Sequence, residues 1–122
     1  MSGSFSDGEA CLPRVATCFG GGLGRRGEMC GALAAALIAV GLRHGRRKGE
    51  GREAKERAYG LTARIVDDFR ERFGTILCRE LIKVDLSKPE GRETYRRENI
   101  RDDHCVNYVT TAVMAAYEAI AT

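Results

Sequence analysis

Five cysteines, Cys11, Cys18, Cys30, Cys78 and Cys105, are the residues of this chain best suited to chemistry. A cysteine thiolate is the nucleophile of thiol–disulfide exchange and a soft ligand for zinc or an iron–sulfur cluster. No two of these cysteines have the two-residue gap of a zinc knuckle, a thioredoxin motif or an attached haem. If the cysteines act together, the fold must therefore gather them from separate elements.

Cys30 is the strongest candidate for a reactive thiol. It follows a glycine-rich stretch, residues 19–28, and precedes a long apolar run. The positive end of a helix dipole stabilises a thiolate at a helix start, and Arg25 and Arg26 add positive charge nearby. We therefore expect a lowered pKa for Cys30. The alternative is a small side chain packed against the turn, because cysteine is among the most buried residue types.

Cys78 and Cys105 also lie near predicted helix starts. Thr75 is expected to cap the helix that holds Cys78, and Asp102 or Asp103 the last helix, which holds Cys105. The dipole argument extends to both thiols, although nearby aspartates would raise a thiol pKa. Each cysteine taken alone is more often a buried structural residue. Three such placements together favour a shared site.

Two weaker signals lead to less specific interpretations. The segment Gly22-Leu23-Gly24-Arg25-Arg26-Gly27 fits the pattern of a dinucleotide-binding turn, but we predict a helix before it and no βαβ unit around it. Anion binding by this turn stays open as an alternative to a plain chain reversal, in which glycines supply positive φ and close packing. His104 could serve as a ligand or base, or simply lie at the surface.

Apolar residues recur with the helical period along the chain, while strand-like alternation does not persist. This pattern predicts an all-α fold, a compact bundle of four to five helices in a single domain over residues 1–122, with residues 1–7 disordered. We expect residues 87–90 to form a turn or short helix, residues 91–101 to be exposed, and the helix from residue 29, apolar all round, to be buried on every side. The predicted helices cover residues 8–19, 29–43, 52–73, 76–83 and 104–121.

Composition argues for a cytoplasmic protein without membrane insertion. The start of the chain lacks the basic and apolar regions of a signal peptide, and the apolar run 29–42 is too short to span a bilayer. The net charge of +3 is small, and the basic stretch 43–57 alternates with glutamates, so we expect no nucleic-acid partner. Cytoplasmic thiols stay mostly reduced, so five cysteines suggest metal, catalytic or redox-sensing roles.

Three stretches of the chain and the downstream Cys105 follow one another in a specific order and spacing. The stretches are Phe19 to Ala32, Ala39-Val40-Gly41-Leu42 and Phe73-Gly74-Thr75-Ile76-Leu77-Cys78-Arg79-Glu80-Leu81. Together they resemble the C_GCAxxG_C_C family of small redox-active proteins. The resemblance extends over about residues 11–120, and it implies an α-helical fold, a redox role and genes that tend to lie near transporter genes.

The resemblance also implies roles for individual cysteines. Cys30 matches the motif cysteine, and Cys78 and Cys105 match the two later family cysteines. The family motif ends in glycine, whereas this chain has Ala35 there. Members usually carry a further N-terminal helix with its own cysteine. This chain begins too late to include that helix, so we expect Cys11 or Cys18 to stand in, or the site to be incomplete.

Two hypotheses follow. In the first, Cys30, Cys78 and Cys105 converge, with Cys18 or Cys11 as a fourth member. Four thiolates would suit zinc or an iron–sulfur centre, and two would suit disulfide exchange with Cys30 attacking and Cys78 or Cys105 resolving. In the second, the chain is a non-enzymatic helical module, a transporter-associated accessory or a homodimer, with cysteines as core residues. The redox partner and the substrate are not specified by the sequence.

Overall fold

Three long helices and two short ones make up most of this computed structural model, which describes residues 14–121. A π-helical turn, Arg101–Cys105, leads directly into the last helix. Residues 14–121 contain no strand, only an isolated β-bridge between Met29 and Leu77. The all-α prediction is confirmed. In chain order the helices are α1 (Gly31–His44), α2 (Arg52–Phe73), α3 (Cys78–Ile82), α4 (Pro89–Arg97) and α5 (Val106–Ala121).

The core lies where α1, α2 and α5 pack against one another. Leu33 and Val40 of α1 are 0% and 1% exposed, and small residues of α5 let the two helices approach closely. At one end of the core the Phe73 ring lies 4.8 Å from both the Phe69 and the Tyr108 ring centroids, in edge-to-face contacts. This packing fixes α1 and α5, the helices that border the cavity described below.

The bounds predicted for α2 are confirmed at both ends. Glu53 lies in its first turn and Arg70 and Arg72 in its last, where each charge opposes the helix dipole. Gly74 ends the helix in a left-handed conformation, φ 85°, and donates its backbone N–H to the Arg70 carbonyl. These local signals are sufficient to predict the bounds of α2 from the sequence alone.

The prediction that α1 is buried on every side is wrong. Leu42 is 42% exposed, and Ala35 and Gly41 are also exposed. The reason is that α1 packs mainly against α5 and α2, which leaves one side without a long neighbouring helix. Part of that side borders a cavity.

Both predicted helix caps are wrong. Thr75 accepts a hydrogen bond from the Leu77 N–H at 3.1 Å, but the helix begins only at Cys78, and Leu77 caps it without a side-chain bond. Neither Asp102 nor Asp103 caps the last helix. Residues 101–105 are already π-helical, and the Asp103 N–H bonds to the Asn99 carbonyl, so no free helix start exists there.

Helix α4 begins in residues 87–90, predicted as a turn or short helix, and continues into the stretch 91–101 predicted to be exposed. Pro89 occupies its first turn, where a missing backbone N–H costs nothing. Its charged side chains are largely exposed, but Tyr95 is half-buried, and Ile100 just beyond it is only 5% exposed. This helix has too few apolar residues for a helical period to be recognised in the sequence.

Before α1, the predicted helix over residues 8–19 is only partly within the described range. Residues 14–16 are helical and Thr17–Phe19 form a 3₁₀ turn. The remainder of that prediction, and the disorder expected for residues 1–7, lie outside the described residues. No helix within residues 14–121 is both long enough and apolar enough to cross a membrane.

Candidate thiol site

The glycine-rich stretch folds into a left-handed turn. Five consecutive residues, 21 to 25, have φ between 61° and 68°, and Gly27 adds a further positive φ. A left-handed backbone costs roughly 1–2 kcal/mol for each residue that carries a Cβ atom, so glycine at three of the five positions confines the cost to Leu23 and Arg25. The expected chain reversal is confirmed, and its glycines are required by the backbone.

This turn packs directly on the second of the predicted site cysteines. A Cβ atom at Gly22 would lie 2.5 Å from the Cys78 Cβ, closer than any real contact. The Gly22 carbonyl accepts a hydrogen bond from the Glu28 N–H at 2.9 Å, which closes the turn beneath the cysteine. A Cβ atom at Gly31 would similarly meet the Phe19 carbonyl oxygen at 2.5 Å. The glycines therefore bring the backbone into contact with the site.

The isolated bridge ties Cys30 to Cys78. The Cys30 N–H donates to the Ile76 carbonyl and the Cys78 N–H donates to the Glu28 carbonyl, both at 2.7 Å. Each cysteine follows immediately after a bridged residue, Met29 or Leu77. Because side chains alternate along extended backbone, the two cysteines start from the same face of the bridge. The two thiols thus share one backbone anchor although they are far apart in sequence.

Cys30, Cys78 and Cys105 line one cavity of about 890 Å³. The first two are buried, the third is half-buried, and all three are free thiols. Two tyrosines share the cavity. The Tyr95 hydroxyl donates to the Cys105 sulfur at 3.5 Å, and the Tyr108 hydroxyl donates to the Leu81 carbonyl at 3.1 Å. The three cysteines proposed from sequence are thus brought together from three separate elements.

Other residues considered from sequence lie elsewhere. Cys18 is exposed and does not line the cavity, His104 is exposed and likewise absent from it, and Cys11 lies outside the described residues. Sequence reasoning missed four cavity residues. Their only signal in the sequence was helical spacing, for three of them within the stretch predicted to be exposed and for one within the last helix. They are Arg92, Tyr95, Arg96 and Tyr108.

The family model described as "Putative redox-active protein (C_GCAxxG_C_C)" matches residues 4–119, nearly the whole chain. The chain belongs to the C_GCAxxG_C_C family. That description gives the family a redox role and specifies no reaction. Neither the curated proteins nor the solved structures contain a match to the chain.

Burial sets the acidity of two cavity thiols in this C_GCAxxG_C_C protein. Desolvation, with smaller repulsion from thiolates at Cys30 and Cys105, raises the pKa of Cys78 to about 11. Burial also raises the pKa of Cys105, and the hydrogen bond from Tyr95 opposes that rise. The extension of the dipole argument to Cys78 and Cys105 is therefore wrong. Cys78 starts a helix of only five residues, and Cys105 lies within a continuous helical run.

Cys30 is the cavity thiol at a true helix start. It occupies the N-cap of α1, a helix of 14 residues, and its carbonyl accepts the Ala34 N–H at 3.0 Å. The helix start predicted for Cys30 is thus confirmed, although α1 begins at Gly31 rather than at residue 29. The N-terminus of a helix of this length is the positive end of its dipole.

The described part of the C_GCAxxG_C_C chain contains no cluster of side chains that would serve as metal ligands. Within residues 14–121, no group of three or more histidine, cysteine, aspartate or glutamate side chains is arranged to hold a metal ion. Cys18, the fourth predicted ligand, is exposed and does not line the cavity with the other three cysteines. The zinc or iron–sulfur centre with Cys18, Cys30, Cys78 and Cys105 as ligands stays a prediction.

Tyr95→Phe should slow the alkylation of Cys105. The Tyr95 phenol donates to the Cys105 sulfur, and this hydrogen bond lowers the pKa of Cys105 against the effect of burial. Without the phenol the pKa of Cys105 rises further, and a smaller fraction of Cys105 is present as the thiolate. Because this O···S contact is long, at 3.5 Å, we expect its loss to decrease the rate only roughly three- to tenfold at mildly alkaline pH. Mass spectrometry of iodoacetamide-treated protein reports the rate at each cysteine. Tyr59→Phe, on the exposed side of α2, is the control, and equal Cys105 rates in both variants would contradict the assignment.

Proposed function

We propose that this chain is a thiol–disulfide redox protein in which Cys30 and Cys78 transfer two electrons to a small-molecule disulfide. The observation that carries the proposal is the convergence of three free cysteines, from separate elements, on one cavity. Membership of a family described as redox-active supports the same conclusion. The cavity gives a small co-substrate access to thiols that are otherwise buried.

The two cysteines have different roles in this proposal. Cys30 attacks first, because it lies at the N-terminus of α1, a position typical of nucleophilic cysteines. Cys78, with a pKa raised to about 11, is a neutral thiol near pH 7 and cannot readily begin the reaction. It acts second, from the same face of the Met29–Leu77 bridge.

The reaction balances with the disulfide as oxidant. The Cys30 thiolate attacks one sulfur of the disulfide, its S–S bond breaks, and a mixed disulfide and a free thiolate form. That thiolate takes the proton of Cys78. The new Cys78 thiolate then attacks the Cys30 sulfur, forms the Cys30–Cys78 bond and releases the second thiolate, which takes a proton from water. Two electrons pass from the protein to the small molecule.

Anaerobic oxidation with hydroxyethyl disulfide tests the proposal. We expect the reduced protein to lose the mass of two hydrogen atoms, and peptide mapping to find a Cys30–Cys78 bond. Cys30→Ser and Cys78→Ser should abolish this product, whereas Cys105→Ser should retain it. Cys18→Ser is the matched control, because Cys18 is exposed and lies outside the cavity lining.

Two outcomes would contradict the proposal. One is wild-type protein that never forms an internal disulfide. Another is Cys30→Ser protein, shown to be folded by circular dichroism, that forms a bond including Cys78 at the wild-type rate. Stoichiometric iron or zinc in protein purified without oxygen or chelator would instead support the metal prediction.

A second candidate function is the accessory module, and an exposed apolar stripe favours it. Along α5, the side chains of Val106, Val109, Val113 and Tyr117 are between 48% and 72% exposed. Such a stripe is typical of a surface that contacts another protein or a second copy. In a purely structural module the cavity cysteines would react slowly with alkylating agents and form no internal disulfide, so the oxidation experiment separates the two functions.

A further inference from the structure

Among the described residues, the charged side chains that line the thiol cavity are all positive. Three arginines line it, and no aspartate or glutamate of the described residues does. Arg92 and Arg96 come from α4, one turn apart, and Arg25 comes from the left-handed glycine turn. Positive charge therefore reaches the cavity from two separate elements.

None of these three arginines forms an ion pair with a carboxylate of the described residues. Ion pairs within residues 14–121 instead occupy other arginines, for example Arg79 with Glu28 at 3.4 Å, and none includes Arg25, Arg92 or Arg96. Arg92 donates one N–H to the Leu86 carbonyl at 2.9 Å, which orients its guanidinium group. Unpaired guanidinium groups beside low-dielectric walls attract anions and raise their local concentration.

We infer that the disulfide accepted by the cavity is an anion, a low-molecular-weight disulfide that bears carboxylates. Arg25 and Arg96 bind its carboxylates, Arg92 adds a fixed positive charge, and its sulfur faces Cys30. The same charges stabilise the thiolate that leaves after the first attack, since that group carries a second negative charge. This inference rests on the proposed thiol function and adds the class of its substrate.

Three small disulfides of different charge test the inference. Dithiodipropionate is an anion, hydroxyethyl disulfide is neutral and cystamine is a cation. The rate of protein oxidation by each compound is divided by the rate at which the same compound oxidises free dithiothreitol, an uncharged dithiol, which removes differences in intrinsic reactivity. We expect the anion to react about tenfold faster than the neutral compound, the cation to react slowest, and added salt to shrink the preference.

Substitutions at the arginines locate the effect. Arg25→Gln combined with Arg96→Gln should bring the rate of the anion within about twofold of the rate of the neutral compound, which slows less because it has no carboxylates for these arginines to bind. Arg96→Lys keeps the charge and should keep the preference. Arg64→Gln is the matched control, because Arg64 is an exposed residue of α2 outside the cavity. Arg92 is left intact because it bonds to the backbone.

The possible results separate the anion preference of the cavity from the proposed thiol–disulfide exchange. Equal normalised rates for the three compounds, or a preference for the cation, would overturn the inference while leaving thiol exchange intact. A preference for the anion that survives the double substitution would likewise overturn the assignment to these arginines. Failure of all three compounds to form the internal disulfide would overturn the proposed function itself.

Discussion

Gly22→Ala should destabilise the protein by roughly 2–5 kcal/mol, whereas Gly24→Ala should cost only about 1–2 kcal/mol. Both glycines are left-handed, with φ of 68° and 61°, so the backbone strain from a new Cβ atom is similar. Only Gly22 lies against the site. A Cβ atom there would be 2.5 Å from the Cys78 Cβ and 2.8 Å from the Glu28 carbonyl oxygen, while at Gly24 it would meet nothing within 4 Å.

Urea unfolding of the two variants and the wild type, all reduced, measures the difference. The excess cost of Gly22→Ala over Gly24→Ala measures the contacts with Cys78 and the Glu28 backbone, because both variants carry a similar backbone strain. We also expect faster alkylation of Cys78 in the Gly22 variant, since the turn must move away from the thiol to admit the methyl group. Equal losses of stability in the two variants would show that the turn does not pack on the site.

The elements with strong local signals could be predicted from sequence. For α2, an apolar stripe, charges that match the helix dipole and a terminal glycine agree on the same bounds. Cys30 could be placed at the start of α1 because the glycine-rich turn and the apolar run meet there. In both cases the determining residues are adjacent along the chain.

The features that could not be predicted depend on contacts between distant segments. The bridge between Met29 and Leu77 joins residues nearly fifty apart, and no local pattern specifies it. The raised pKa of Cys78 follows from burial beneath the glycine turn, which opposes the dipole argument drawn from sequence. Helix α4 was missed because its face toward the cavity carries Arg92, Tyr95 and Arg96 rather than aliphatic residues. That face supplies the charge from which we infer the substrate.

The stability of the reduced protein should decline between pH 9 and about 11, the interval between the ordinary and the raised pKa of Cys78. Within that interval Cys78 is ionised in the unfolded chain and protonated in the native protein. The unfolded state then binds fewer protons, so its free energy falls relative to the native state as pH rises. The contribution is fully present below pH 9 and is lost by about pH 11.

Cys78→Ser isolates this contribution, because serine does not titrate in the same range. Tyr95, Tyr108 and Cys105 also have raised pKa values and add to the decline in both proteins. The difference in unfolding free energy between wild type and variant should therefore shift by roughly 2–3 kcal/mol across the interval. Urea unfolding in a phosphine reductant at each pH measures it, with Cys18→Ser as the exposed control. A difference independent of pH would mean that Cys78 ionises in the native protein as it does in the unfolded chain, and the order of attack proposed for Cys30 and Cys78 would lose its basis.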